Sequence, residues 1–184
     1  SGTGALNLTN TGSMGFNSQS GTRTLTLTGT NTGSNTLAAL VGDNGGATSL
    51  VKSGAGTWVL TGTNAYTGTT TISAGVLQVG SGSTTGTLGS GGVTNNGSLV
   101  INRSNDLTVA NAISGSGSFT QTGTGRTTLG GTNSYTGATT INAGVLNVTA
   151  LANGGSSSNI GSRKCSIKQS NLINPIRGVR KVGS

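Results

Sequence analysis

Two stretches of this 184-residue chain repeat one another without a gap. Residues 54–79 read GAGTWVLTGTNAYTGTTTISAGVLQV, and residues 123–148 read GTGRTTLGGTNSYTGATTINAGVLNV. Identical pairs at this constant offset include Gly54/Gly123, Leu60/Leu129, Asn64/Asn133, Tyr66/Tyr135, Ile72/Ile141 and Leu77/Leu146. Such self-similarity limits the fold to stacked units, each burying its apolar face only against its neighbours. A weaker echo, TLTLTGTNTG at 24–33, sets Gly29 and Asn31 where Gly62 and Asn64 stand. NGSLVI at 96–101 also resembles AGVLQV at 74–79. The shorter offset is 22 residues and the long one, 69, is three times 23, so the unit is a coil of about 22–23 residues.

Within one unit the apolar residues alternate, which marks half-buried strands. Trp58 and Leu60 share one face, with Thr57, Val59 and Thr61 on the other. Thr70 with Ile72, and Leu77 with Val79, repeat the pattern, as do Leu6/Leu8 and Leu25/Leu27 upstream. Three short strands with Gly/Asn corners fill one coil, and stacked coils make a parallel β-solenoid. The Asn residues of the T-G-T-N and G-G-T-N corners tolerate left-handed backbone and bond to their own turns. Stacking predicts that they align into ladders. The interval from Asn31 to Asn64 is not a whole number of coils, which predicts an insertion at Leu37–Ser49.

Composition agrees with strands rather than a flexible linker. Gly, Thr, Ser and Asn number 35, 33, 24 and 19, yet 30% of residues are apolar and only 7% are charged. Thr is β-branched and favours strands, and low charge does not match the highly charged class of disordered chains. The same inventory excludes most catalysis. There is no His, one Cys (Cys165) and two acids, Asp43 and Asp106. That leaves no Cys/His zinc set, no calcium loop and no Ser/His/Asp triad. Asp43 and Asp106 are too many coils apart for a glycosidase pair. No catalytic, cofactor-binding or metal-binding residue is therefore expected, and the chain is read as not an enzyme.

The segment from Gly54 to Val79, and its copy from Gly123 to Val148, resembles the autotransporter-associated β-strand repeat, or passenger-associated transport repeat. Gly, Leu, Gly, Asn, Tyr, Gly, Thr, Ile, Ala, Gly, Leu and Val fall at the same spacing twice. The resemblance implies a right-handed parallel β-helix in the passenger of a bacterial protein secreted by the type V route. It implies a structural role as stalk and folding segment at the cell surface. The implied partner is a cognate outer-membrane β-barrel translocator, which this chain does not include; nor does the chain include a signal peptide. The alternative is an adhesin that binds a host protein or glycan, with Leu37–Ser49 and Ser81–Gly92 as its loops. A distant third reading takes the T-x-T runs at 24–28, 61–63 and 120–124 as an ice-binding face.

The chain divides into a solenoid body, 1–162, and a basic tail, 163–184. The tail holds Cys165, Pro175 and six of the ten basic residues, but no Thr. Its lack of aromatic residues argues against stacking on nucleic-acid bases, so no nucleic-acid partner is expected. A disordered end is one reading. The abrupt change in every respect at once favours sequence beyond a lost reading frame. Within the body, Asp43 and Asp106 are read as turn residues, Asp106 pairing with Arg103. Tyr66 and Tyr135 are read as packing residues, and Trp58 as packing near a coil irregularity. The two ends of the stack are expected to self-associate through open strand edges.

Overall fold

The structure is a computed structural model and describes residues 4–16, 20–31 and 33–148. The last part of the expected body, 149–162, and the basic tail, 163–184, lie outside the described residues. Fifteen strands follow in chain order. They are β1 (Asn7–Leu8), β2 (Arg23–Leu27), β3 (Ser34–Leu37), β4 (Thr48–Lys52) and β5 (Thr57–Leu60). Next come β6 (Thr70–Ile72), β7 (Val76–Ser83), β8 (Val93–Asn95), β9 (Ser98–Arg103) and β10 (Leu107–Val109). The last are β11 (Ile113–Ser114), β12 (Ser118–Gln121), β13 (Arg126–Leu129), β14 (Thr139–Ile141) and β15 (Val145–Val148).

Every ladder among them is parallel, so each strand pairs with the strand one coil away. Sheet I runs β1-β3-β5-β7-β9-β12-β14, sheet II runs β2-β4-β6-β8-β11, and sheet III runs β10-β13-β15. The chain visits the faces in the order II, I, III, which makes a three-sided β-solenoid of about six turns. Upstream of β10 the third face has no named strand. Its coils are tied by single bonds there, such as Ala65 N–H to Val41 O at 2.8 Å and Ser90 N–H to Tyr66 O at 2.9 Å.

The coil has no fixed length. Along sheet I, Asn35, Trp58, Leu77, Leu99, Phe119 and Thr139 stack in turn. The step from Trp58 to Leu77 is shorter than the steps on either side of it. The expected coil of about 22–23 residues lies inside this spread, but corners absorb extra residues without disturbing the strands. The step from β2 to β4 is longer than any of these, as Arg23 pairs with Thr48.

The core is a column of inward side chains, and the alternation read from sequence mostly holds. Leu27, Leu50, Trp58, Leu60, Ile72, Leu77, Val79, Leu99, Ile101, Phe119 and Leu129 are buried in one cluster. Val59, across the strand from Trp58 and Leu60, is buried too, although it lies outside that cluster. Leu6 and Leu8 depart from the pattern: they are 52% and 41% exposed, because β1 is the first strand of sheet I and nothing among the described residues stacks above it.

The repeats sit in the solenoid in an unexpected way. The first copy uses β5 in sheet I, β6 in sheet II and β7 in sheet I. The second uses β13 in sheet III, β14 in sheet I and β15 in sheet III. The interval from Gly54 to Gly123 is three coils plus one face, not three whole coils. The upstream echo obeys the same rule, since β2 lies in sheet II, one coil and one face before β5. No insertion is therefore needed to explain the interval from Asn31 to Asn64. Leu37–Ser49 is not a protruding loop either. It contains the end of β3, the fully buried Val41, a turn at Asp43–Gly46 and the start of β4.

Candidate functional site

A solenoid is held together by what ties one coil to the next, so the corner residues of the repeats are the candidate site. The repeat Asn is the clearest case. Asn64 Oδ1 accepts the Val41 N–H of the preceding coil at 3.0 Å, and its Nδ2 donates to Thr87 O of the next at 2.7 Å. Asn133 Oδ1 likewise accepts the Ile113 N–H at 2.8 Å, on a different face. Asn35 does the same between Leu6 N–H and Thr57 O. Buried backbone groups need partners, and the carboxamides of Asn64 and Asn35 supply them in both directions along the axis. The expected Asn-on-Asn ladder does not form. Asn31, Asn64 and Asn133 occupy different faces, and the chain stacks Gly56, not Asn64, against Asn31.

The tyrosines form a second repeated device. Tyr66 and Tyr135 are fully buried, and each hydroxyl meets the threonine four positions on: Thr70 Oγ1 at 2.8 Å and Thr139 Oγ1 at 2.6 Å. Burial raises the Tyr66 phenol pKa. Glycine completes the fit, because a Cβ on Gly89 would run into Tyr66 O. Trp58 faces inward at 5% exposure, and its Nε1 donates to Thr28 O at 3.0 Å. Its counterpart in the second repeat, Thr127, is also buried.

A third device was not visible in sequence. Lys52 is fully buried, with Nζ donating to the carbonyls of Ser53, Gly54 and Ala74 at 3.0, 2.8 and 3.1 Å. Burial lowers its pKa, and three carbonyl acceptors compensate the ammonium. Gln121 stands at the equivalent position of the second repeat and takes the same role. Its Nε2 donates to Gly123 O and Gly125 O at 2.9 and 3.1 Å, and its Oε1 accepts from Thr127 Oγ1. Both residues lie just ahead of the segment whose identity is obvious by eye, and Lys and Gln do not match as letters. The shared signal is a long hydrogen-bond donor before a G-x-G corner.

The remaining charges are mostly turned inward as well. Arg23 donates to the carbonyls of Asp43, Gly46 and Asn44, and lies 4.6 Å from the Phe16 ring centroid. Asp43 occupies a turn, as expected, but also clips the next coil: Oδ1 accepts from Thr48 N–H and Thr67 N–H, and Oδ2 from the Thr67 hydroxyl. These bonds, the Thr67 hydroxyl first, hold its carboxyl below the usual carboxylate range. Arg103 does not turn to Asp106. It donates to Asn105 Oδ1 from Nε and Nη2, and to Gly86 O from Nη1. Asp43 precedes β4 of sheet II and Asp106 precedes β10 of sheet III, so the structure does not bring the two acids together.

The outer surface offers less. Within Ser81–Gly92 only Ser81–Thr85 forms a continuous exposed stretch, while Gly86 and Gly89 are buried. On sheet II, Thr26, Val51, Thr71, Thr94 and Ser114 stack in one outward row. Two positions ahead of Thr94 and Ser114 stand Gly92 and Ala112, so the double threonine row of an ice-binding face is missing. A hollow of about 340 Å³ opens where the third face changes from the 87–90 segment to β10, with Asn64, Leu88, Leu107 and Asn111 among its lining. Among the described residues no cluster of three or more His, Cys, Asp or Glu could hold a metal, and no helix is long and apolar enough to cross a membrane.

The passenger-associated-transport-repeat family matches residues 50–79 and 119–148. Those bounds include Lys52 and Gln121, so the corner donors belong to the repeat. Residues 50–79 and 119–148 are thus two copies of the passenger-associated transport repeat. Over 118 residues it is 49% identical to the adhesin BmaC autotransporter of Brucella suis biovar 1 (strain 1330), a match that covers 64% of this chain and 4% of that protein. The chain therefore spans a small part of the length of the curated relative that it matches. No solved structure matches it significantly. The passenger repeats thus supply the Asn bridge, the Tyr–Thr pair and the Lys/Gln corner donor, at whichever face of the solenoid they fall.

Proposed function

We propose that this chain is a non-enzymatic stalk and folding segment of a passenger displayed at the bacterial cell surface. A cognate outer-membrane β-barrel translocator in the full protein would deliver it. The observation that carries this reading is the pairing of coil to coil by the repeat residues themselves. Each added coil meets backbone acceptors, donors and an apolar column already in place, as quasi-one-dimensional repeat folding requires. The test is to insert residues 1–148 between a signal peptide and a translocator barrel. Display of a protease-resistant core at the cell surface is expected. Retention behind the outer membrane, or complete digestion after display, would refute the proposal.

A second reading, that the segment itself binds a host protein or glycan, is favoured by the name of the BmaC relative and by the exposed Ser81–Thr85 stretch. Binding of the displayed segment to host cells or glycans, lost when Ser81–Thr85 is shortened, would support that reading over a plain stalk.

A further inference from the structure

The sequence Asn-Gly occurs twice among the described residues, at Asn44-Gly45 and Asn96-Gly97, and the fold treats the two differently. Asn44 and Gly45 are both exposed. They form the middle of the turn closed by Gly46 N–H to Asp43 O at 2.8 Å. Asn44 is in the left-handed region at φ 21°, and Gly45 at φ 90°. Among the described residues, neither the Asn44 carboxamide nor the Gly45 N–H makes a hydrogen bond. Asn96, although exposed, is tied. Its N–H donates to Ile72 O at 2.8 Å, and its Oδ1 accepts from Ser116 N–H and the Ser116 hydroxyl at 3.2 and 3.4 Å. Gly97 is packed beneath the preceding coil, where a Cβ would lie 2.6 Å from Gly75 O.

We infer that Asn44 is a site of spontaneous deamidation that the folded chain leaves open, while the fold protects Asn96. The Gly45 main-chain nitrogen attacks Asn44 Cγ and a new C–N bond forms. The bond from Cγ to the side-chain nitrogen breaks, and ammonia leaves with the proton from Gly45. The five-membered imide that results adds water at one of its two carbonyls, giving aspartate or isoaspartate. One water is consumed, one ammonia is released, and no oxidant or reductant is needed. Glycine is the favourable successor because it puts no side chain beside the attacking nitrogen and is free to turn.

The product acts at a sensitive place. Arg23 grips three carbonyls of this turn, those of Asp43, Asn44 and Gly46, at 2.9, 3.2 and 3.3 Å. Isoaspartate routes the main chain through Cβ and lengthens the turn by one atom, so the three carbonyls can no longer converge on one guanidinium. The new carboxylate also stands next to Asp43, whose own carboxylate holds Thr67 of the next coil. Ageing at Asn44 therefore loosens the tie between the first coils and leaves the second repeat intact.

The test incubates the full chain at pH 8 and 37 °C, with and without 8 M urea, and follows the gain of one mass unit by tryptic peptide mapping. Cleavage after Arg23, Lys52 and Arg103 puts Asn44 and Asn96 on separate peptides, and fragmentation locates the site. In buffer, Asn44 is expected to react about tenfold faster than Asn96, the factor that one or two hydrogen bonds and a local opening step impose. In urea the two rates should converge, because both residues precede glycine. Asn44→Gln should abolish the fast phase and leave Asn96 unchanged. Equal rates in buffer, or faster reaction at Asn96, would overturn the inference.

Discussion

Lys52 and Gln121 show what a repeat conserves when its letters differ. Both send a terminal N–H group to the carbonyls of a G-x-G corner, and both are fully buried. Replacing Lys52 by Met keeps length and apolar stem but strands three carbonyls. A loss of about 1–3 kcal/mol in urea unfolding is expected. Lys52→Gln copies the second repeat and should recover most of it. Equal stability of the two variants would show that the carbonyls do not need a donor. Asp43 supplies a pH-dependent tie at the same scale. Its hydrogen bonds lower its pKa in the folded chain, so native carboxylate is favoured over unfolded. The stabilisation is complete above about pH 4, the ordinary range of an unfolded Asp. It fades as the pH falls through the lower native value. Unfolding midpoints measured from pH 7 to pH 2 should show a steeper acid decline for the natural chain than for Asp43→Asn.

At the scale of strands, the repeat encodes a path around corners rather than an address on the solenoid. The same strand motif lies in sheet II as β2, in sheet I as β5 and in sheet III as β13. Inward positions should therefore be equally intolerant on every face, in proportion to burial. Leu129 is fully buried at the end of β13, whereas Ile141 in β14 is only half-buried near the last coil. Leu129→Asp is expected to cost at least about 3 kcal/mol by burying an unpaired charge. Ile141→Asp should cost about 1 kcal/mol, nearer the typical substitution. Urea unfolding that ranks them the other way would contradict the assignment.

Period-two alternation and repeated Gly, Asn and Tyr were enough to read the strands, the parallel stack and the inward faces of β5, β6 and β7. They were not enough for the coil length. A corner can take in extra residues without moving the strands that it joins. The intervals from Asn31 to Asn64 and from Asn64 to Asn133 therefore looked like insertions or whole coils. The face on which Asn64 and Asn133 act, and the burial of Lys52, also needed three dimensions. Both depend on which backbone carbonyl stacks above or below.

At the scale of the whole stack, the first and last described coils leave apolar side chains exposed. Sheet I opens at β1 with Leu6 and Leu8 exposed, and sheet III closes at β15 with Val145 exposed at 52%. In residues 1–148 taken alone, such edges would offer backbone donors and acceptors to another parallel strand, which invites association. The side walls do not. Arg23, Lys52 and Arg103 spend their donors on main-chain or neighbouring side-chain oxygens, and only Arg126 of the four described bases is exposed. With four bases against two acids, residues 1–148 carry little net charge, so long-range repulsion between bodies is small. Association should therefore run end to end, and grow with concentration more than it responds to salt. Sedimentation velocity on residues 1–148 is expected to show a concentration-dependent shift to elongated oligomers. Leu8→Lys with Val145→Lys, which place charge on both edges, should restore the monomer without lowering the unfolding midpoint. A natural sequence that stays monomeric at every concentration, or oligomers unmoved by the double change, would mean that the edges are not the contact.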